Sequence, residues 1–163
     1  MTWQQVCEDK TLANLPFKIE LDGSGKLIMS PAHKKHSRLQ SKLQRLFSRL
    51  LPHGDPLPEC AVETANGTRV ADVAWISEER WASMNPDEAS CTTAPEICVE
   101  ILSPANTREE MLGTLEKPGK RELYFQVGAR EFWLSDESGR LSFFNRSGQI
   151  PKSELCPEFP DKV

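Results

Sequence analysis

Apolar side chains recur with a helical period in one segment of the first half of the chain. The recurring residues share one helix face and are Leu39, Leu43, Leu46, Phe47 and Leu50. This spacing predicts a helix from about residue 33 to residue 51, which the following Pro52 and Gly54 end. The helix is expected to bury its apolar face against a sheet formed by the rest of the chain.

Short apolar runs separated by turn residues predict seven strands. These strands cover residues 17–22, 26–30, 60–64, 68–76, 97–102, 131–135 and 141–145. Three of the turns join neighbouring runs into hairpins, and Asn66-Gly67 is the strongest of the three turn signals. The run at 97–102 lies between two prolines and is typical of a buried central strand.

The remaining segments predict short helices and a C-terminal tail. Thr2 and Gln5 have the spacing of a capping box, which indicates an opening helix at residues 3–8. Pro118-Gly119 interrupts a stretch of helical composition, so a firm helix is expected to begin at about Lys120. Three prolines in the last 13 residues predict a loosely held tail.

The order of these elements and the composition indicate one α/β or α+β domain with a mixed sheet at its centre. The chain has 163 residues, of which 38% are hydrophobic and 27% charged, and this balance supports a single buried core. We expect one domain over residues 1–163, with a core at about 3–145 and a tail at 146–163. No apolar stretch is long enough for a membrane span or a signal peptide, so a cytoplasmic protein is expected.

The cysteines and the charges exclude some classes of site. The five cysteines are widely spaced and form no Cys-x-x-Cys pair, so neither a disulfide framework nor a zinc ribbon is indicated. The formal net charge is −4, yet no acidic residue occurs between Ile28 and Gly54, where six of the 20 Lys and Arg residues lie. Four of those six follow the predicted helix as a basic stripe, at Arg38, Lys42, Arg45 and Arg49. The stripe suits either a solvated helix face or a surface that contacts DNA phosphates.

Two carboxylates occur where a strand should be apolar. Asp72 and Glu100 each lie inside a predicted strand, and a buried charge costs several kcal/mol unless it is paired or binds a metal. If the two strands are neighbours, both side chains can converge on one divalent cation, with Lys120 nearby. The alternative is that Asp72 ends a hairpin and that Glu100 forms a simple ion pair with Arg69 or Arg130.

These residues also lie in an order and at a spacing that resemble a known family. The motifs are Arg69-Val-Ala-Asp72-Val-Ala-Trp75, Pro95-Glu-Ile-Cys-Val-Glu100-Ile-Leu-Ser103-Pro104, and Lys120-x-x-x-Tyr124 followed by Gly128-Ala-Arg-Glu131-Phe-Trp133. Upstream, Lys18-Ile-Glu20-Leu-Asp22 and Gly25-Lys-Leu-Ile-Met29-Ser30-Pro31 precede a helix opened by His36. Together they resemble the Uma-type restriction endonuclease family of the PD-(D/E)XK nuclease superfamily, over roughly residues 3–144.

The resemblance implies a restriction-endonuclease-like core, a mixed central sheet flanked by helices and preceded by a β-hairpin. It further implies an endonuclease that hydrolyses DNA with Mg²⁺, for which Mn²⁺ can substitute. Asp72 and Glu100 would bind the metal, and Lys120 would assist catalysis. The stretch from Ser103 to Lys120 is long for the family, so Lys117 or the position of Thr114 are alternatives for the lysine.

Two further residues are candidate helpers at this site. Glu20 is a possible additional acid from the first hairpin, or else a surface carboxylate of an edge strand. His36 could contact phosphate or water, although a histidine in the first turn of a helix is more often structural. Glu63 could also approach the site, but a pair with Arg69 is the simpler account of it.

The sequence leaves three function classes open. The leading one is the metal-dependent DNA nuclease, and the alternative is a nuclease-fold module that binds DNA or a protein partner without cutting. A sugar hydrolase with two carboxylates is the weakest, because the few aromatic residues are scattered. A nuclease that cuts both strands often uses two active sites, and a homodimer is compatible with the small size of the chain.

Overall fold

Five helices and eight strands follow one another along the chain, and the computed structural model describes residues 1–163. The helices are α1 (Trp3–Glu8), α2 (Lys34–Leu50), α3 (Glu78–Ala82), α4 (Arg108–Leu112) and α5 (Lys120–Gln126). The strands are β1 (Phe17–Leu21), β2 (Leu27–Pro31), β3 (Gly54–Thr64), β4 (Gly67–Ser77), β5 (Ile97–Ile101), β6 (Glu131–Ser135), β7 (Leu141–Asn145) and β8 (Gly148–Ile150). No helix combines the length and the apolar character that crossing a bilayer requires.

The strands form a six-stranded mixed sheet and a separate two-stranded hairpin. The large sheet has the order β3-β4-β5-β6-β7-β8, while β1 pairs with β2 alone. Only β5 and β6 run parallel, because α4 and α5 form the crossover that carries the chain back to the start of the next strand. The predicted mixed sheet, its flanking helices and the N-terminal hairpin are therefore confirmed.

Strand β3 begins earlier than the sequence predicts. The prediction starts this strand at Cys60, because it assigns Pro56 and Pro58 to the break that ends the preceding helix. The strand begins at Gly54 and includes both prolines. Since β3 is an edge strand of the sheet, its prolines need no partner on the open side.

Two apolar layers bury the two faces of the large sheet. On one face, Leu43 and Phe47 of α2 pack on the sheet, and the Phe47 ring stacks on Trp133 with 5.1 Å between centroids. On the other face, Tyr124 of α5 packs with Phe132 and Cys98. The amphipathic pattern of α2 thus buries the face that its sequence predicts, and the sheet separates α2 from α5.

The C-terminal tail is part of the core, so the prediction of a loosely held tail is wrong. Phe159 is 4% exposed and packs against Phe47 and Trp133 at centroid distances of 5.0 and 4.6 Å. The buried carboxylate of Glu131 accepts hydrogen bonds from the backbone amides of Glu154 and Leu155 at 2.7 and 2.9 Å. The prolines end regular structure in this segment, but burial and these hydrogen bonds hold it in place.

Candidate active site

A cavity of about 740 Å³ opens beside the first half of strand β4. Its walls are the hairpin β1–β2, the first turns of α2, β4 and the segment from Ser103 to Leu123. Acidic and basic side chains both line it. Charged side chains are rarely buried unless they are paired, so a group of them in one cavity marks a candidate site. The cavity is therefore the place where the predicted site residues can meet.

Asp72 and Glu100 lie next to each other on neighbouring strands. The antiparallel register pairs Val73 with Val99, so continuing it by one residue sets Asp72 opposite Glu100. Both are buried, with 1% and 0% of their surface exposed. The backbone amide of Ile101 donates to Asp72 Oδ2 at 2.7 Å, which holds the first carboxylate against the end of β5.

An irregularity in β4 turns the chain at Asp72. Successive strand residues alternate between faces, so Ala71 and Val73 should share one. Instead Val73 packs in the layer with α2 and Ala71 in the layer with α5. The irregularity coincides with Glu59 of β3, the one non-glycine residue with a positive φ, at 49°, and the pairing of the two strands skips this position. Asp72 therefore occupies the position where the strand changes the direction of its side chains.

Lys18 of β1 bridges the two acids. Its Nζ lies 2.6 Å from Asp72 Oδ1 and 3.3 Å from Glu100 Oε2, and its side chain is only 15% exposed. Burial alone would lower the pKa of Lys18, but the charges of Asp72 and Glu100 outweigh it, and the net pKa is well above the usual lysine value. The ammonium group is thus kept protonated between the two carboxylates.

Lys120 of α5 forms a second bridge on the other side of Glu100. Its Nζ donates to Glu100 Oε1 at 3.1 Å and to Glu20 Oε1 at 2.7 Å. The hydroxyl of Tyr124, one turn later on the same helix, also donates to Glu100 Oε1 at 2.8 Å. Burial raises the pKa of Glu100 to about 7 against the opposing charges of Lys120 and Lys18.

The close approach of α4 and α5 allows Lys120 to reach the site. Gly119 caps α5, and a Cβ at this position would lie 2.2 Å from the backbone nitrogen of Gly113. Only a glycine permits the two backbones to pack this closely. The break at Pro118-Gly119 therefore starts the helix at Lys120, so that the first residue of α5 faces Glu100.

Residues of α2 contact Asp72 from the opposite wall. His36 Nε2 lies 3.1 Å from Asp72 Oδ2; burial lowers the pKa of His36, but Asp72 raises it more, and the net shift is upward. One turn later, Gln40 donates to the backbone carbonyl of Asp72 at 2.9 Å and to the carboxylate of Glu59. For Asp72 itself, burial raises the pKa, but Lys18 and His36 lower it more, so the carboxyl stays ionised.

The structure thus brings all five predicted catalytic and helper residues together, namely Glu20, His36, Asp72, Glu100 and Lys120. It distinguishes the lysine candidates by position. Lys117 is exposed and forms no ion pair, and Thr114 accepts turn hydrogen bonds from the amides of Glu116 and Lys117. Of the three positions considered, only Lys120 contacts a site carboxylate.

Sequence reasoning gave no role to Lys18, Gln40 or Glu59. Two of them are separated from predicted site residues by the repeat of the strand or helix to which they belong. Lys18 precedes Glu20 by two residues on a strand, and Gln40 follows His36 by four on a helix, so each shares a face with its predicted neighbour. Glu59 gave no comparable signal, because its place depends on the irregular pairing of β3 and β4.

The ion pairs considered as structural alternatives do not form. Glu100 pairs with Lys18 and Lys120 rather than with Arg69 or Arg130. Glu63 accepts a hydrogen bond from the hydroxyl of Ser90 instead of pairing with Arg69. Asp72 lies in the interior of β4, so it does not end a hairpin.

The basic stripe of α2 lies outside the cavity. Its four members, Arg38, Lys42, Arg45 and Arg49, are absent from the cavity walls. Arg38 follows His36 by two residues, which is about 200° around a helix, and Lys42 has the same relation to Gln40. The stripe and the cavity-facing side of α2 therefore point in nearly opposite directions.

The oxygen donors of Asp72 and Glu100 fit a magnesium ion. Mg²⁺ commonly uses only one or two carboxylates and completes its shell with water and substrate phosphate. No group of three or more His, Cys, Asp or Glu side chains is arranged to hold a metal, so Asp72 and Glu100 would be the only two protein carboxylates available to such an ion. The ammonium of Lys18 between the two carboxylates shows that the position already attracts a cation.

Comparisons with known proteins address the family and the fold of the chain. Residues 5–161 match the family Uma2, described as "Putative restriction endonuclease". The chain also resembles the crystal structure of a "putative nuclease belonging to DUF820" from Anabaena variabilis, with a TM-score of 0.72 and 16% sequence identity. That likeness covers 99% of this chain and 94% of the other, and at this identity it shows a shared fold. Among curated proteins, none matches the chain at a significant level.

Proposed function

Because the chain belongs to the Uma2 family of restriction-endonuclease-like proteins, we propose that it is a metal-dependent endonuclease that hydrolyses phosphodiester bonds of DNA. One observation carries the proposal. Asp72 lies at the wall of a polar cavity with the fully buried Glu100 beside it, and Lys120, which also lines the cavity, donates to Glu100. Two carboxylates and a lysine are the groups that a metal-assisted attack on a phosphodiester needs.

In this proposal Asp72 and Glu100 hold Mg²⁺, or Mn²⁺ in its place. The bound ion would neutralise charge on the phosphate and lower the pKa of a water molecule. His36 and the amide of Ile101 orient Asp72 by contacting Oδ2. The remaining oxygen, Oδ1, contacts only the ammonium of Lys18, which can move on its flexible side chain.

Lys120 is the proposed catalytic cation. Its Nζ has three donors, of which Glu20 and Glu100 use two, so the third can contact an oxygen of the reacting phosphate. Glu20 positions it, because Glu20 Oε1 is itself fixed by the backbone amide of Val70 at 2.7 Å. A cation held in this way stabilises the negative charge that develops in the transition state.

DNA is the proposed partner, and two surfaces are available to it. The cavity offers cations near the acids, while the basic stripe of α2 faces elsewhere and would contact more distant phosphates of the same duplex. A homodimer remains part of the proposal, because two copies would bring two active sites to the two strands.

A second function is favoured by the position of Lys18. Its ammonium contacts both acids, so a positive charge of the chain itself offsets the negative charge of Asp72 and Glu100. A protein balanced in this way could bind DNA without cutting it. The second candidate is therefore a nuclease-fold module that binds DNA or a protein partner.

One experiment separates the two functions. Mn²⁺ is titrated by calorimetry into the wild type, Asp72→Asn, Glu100→Gln and, as a control, Glu63→Gln, an exposed carboxylate outside the cavity. The four proteins are then incubated with supercoiled plasmid and Mg²⁺ or Mn²⁺, and gel electrophoresis measures both the binding and the nicking of the plasmid. The nuclease predicts metal heat and nicking for the wild type and Glu63→Gln alone. DNA binding without nicking would support the module, and the absence of both metal heat and nicking would overturn the nuclease.

A further inference from the structure

Arg69 is a buried cation without a partner. It lies on β4, three residues before Asp72, and is 9% exposed. Its Nε is the one buried side-chain nitrogen or oxygen in the protein without a hydrogen-bond partner. No carboxylate lies within ion-pair distance of its guanidinium, whereas Lys18 and Lys120, the two lysines of the site, both pair with carboxylates.

The surroundings of Arg69 place it beside the other charged groups of the site. The side chain lines the same cavity as Lys18, Asp72 and Lys120. The next residue of the strand is Val70, whose backbone amide donates to Glu20. Glu20 is the carboxylate that pairs with Lys120, so Arg69 adjoins the residue that holds this pair in place. Burying the Nε of Arg69 without a hydrogen bond costs free energy, and an anion bound to the guanidinium would offset that cost.

The missing partner is therefore an anion that enters the cavity. A planar guanidinium binds the two oxygens of a phosphate through parallel hydrogen bonds, which a lysine cannot reproduce. Asp72, Glu100 and Glu20 are already paired with Lys18, Lys120 and His36, and Glu59 accepts a hydrogen bond from Gln40 and forms no ion pair with Arg69.

We propose that Arg69 is the phosphate-binding residue of the cavity and holds a backbone phosphate of the DNA strand beside the two acids. This inference rests on the proposed nuclease function and adds the group that positions its substrate. Arg69 would bind the non-bridging oxygens of the phosphate while Lys120 and the acids act on the scissile bond. The basic stripe of α2 would then add affinity at a distance without setting the position of the reacting phosphate.

The test measures binding separately from cleavage. The affinity for a short fluorescein-labelled DNA duplex is measured by anisotropy in EDTA for the wild type, Arg69→Met, Arg69→Lys and Arg130→Met. Arg130 is the matched control, because it is exposed, forms no ion pair and lies outside the cavity. Arg69→Met is expected to weaken binding by about tenfold or more, with Arg69→Lys intermediate and Arg130→Met close to the wild type. The slope of the logarithm of the binding constant against the logarithm of the salt concentration should become shallower in Arg69→Met, by the amount that corresponds to about one phosphate contact.

Thermal denaturation supplies the second measurement. The unfolding midpoint of Arg69→Met should hold or rise, because an unpaired buried charge is removed. Equal affinities of Arg69→Met and Arg130→Met would overturn the assignment even if the wild type cleaves DNA. A lower midpoint with unchanged affinity would also overturn it. Lost affinity in Arg69→Met without cleavage by the wild type would keep the phosphate site and reject the nuclease. A wild type that binds no duplex in EDTA would reject the phosphate site, while the plasmid assay with Mg²⁺ or Mn²⁺ decides separately on the nuclease.

Discussion

At the residue scale, Lys18 couples the two acids of the site. Asp72 and Glu100 are both almost completely buried and lie on adjacent strands, so their like charges repel in a low-dielectric environment. The Lys18 ammonium contacts both of them and offsets this repulsion. The stability of the metal-free protein should therefore depend on Lys18 more than on any exposed lysine.

Lys18→Met should destabilise the metal-free protein by roughly 3 kcal/mol, because it leaves buried carboxylates without their cation. Urea denaturation in EDTA measures this, and Lys117→Met is the control with an expected change within about 0.5 kcal/mol. Mn²⁺ should restore part of the stability of Lys18→Met, since a metal ion can replace the lost charge. An unchanged urea midpoint would show that the Lys18 contacts contribute nothing to folding.

Lys120 and Lys117 differ in position and should differ in function. Lys120→Met removes the cation that contacts Glu100 and should lower plasmid nicking by roughly 100-fold or more, while Lys117→Met should keep wild-type activity. The measurement is the nicking rate under single-turnover conditions, with circular dichroism to confirm folding. Loss of activity in Lys117→Met together with an active Lys120→Met would reverse the assignment of the lysine.

At the scale of elements, the tail and α2 form one packed unit. Phe159 reaches between Phe47 of α2 and Trp133 of β6, and β7 pairs with the tail through the amide of Leu141 and the carbonyl of Asp161. Edge strand β3 and the turn at Gly119 are further places where tertiary neighbours decide the local structure. The positions of α2 and of its site residues His36 and Gln40 therefore depend on residues near the C-terminus.

Phe159→Ala should destabilise the protein by about 3 to 5 kcal/mol, because it leaves a cavity beneath α2. Guanidinium denaturation measures the change, and Trp81→Ala is the control, since Trp81 is 48% exposed on α3. The control should lose far less stability. Similar small effects for the two variants would mean that the tail is not part of the cooperative fold.

At the scale of the whole molecule, the charge distribution has two basic features on different sides. The chain carries a net charge of −4, so DNA binding must rely on local clusters of cations rather than on overall charge. One cluster lines the cavity, and the other is the basic stripe of α2, which faces away from it. In the proposed function a long duplex would contact both, whereas a short one would contact only the cavity.

Replacing all four basic residues of the stripe with Gln should weaken binding of a long duplex and reduce the salt slope by about three to four phosphate contacts. Binding of a short duplex and the nicking mechanism should change little, because the cavity is intact. Anisotropy over a range of salt concentrations measures both slopes. An unchanged salt slope for the long duplex would identify the stripe as a solvated helix face.

The sequence by itself determined the elements whose signals are local. The period of Leu39, Leu43 and Phe47 defined α2, and the turn at Asn66-Gly67 defined the hairpin of β3 and β4. Charged residues inside apolar strands marked Asp72 and Glu100, because burial makes an unpaired carboxylate costly whatever the fold. Such signals depend on a residue and its near neighbours in the chain, so no tertiary information is needed to find them.

Only the tertiary structure decided which charges meet. Lys18 and Arg69 carry the same charge and both line the cavity, yet Lys18 is paired with Asp72 while Arg69 remains without a partner. The order of strands made β3 an edge that tolerates its prolines, and packing under α2 held a tail whose sequence suggested mobility. These outcomes depend on distances between residues far apart in sequence, and sheet register and core packing set those distances.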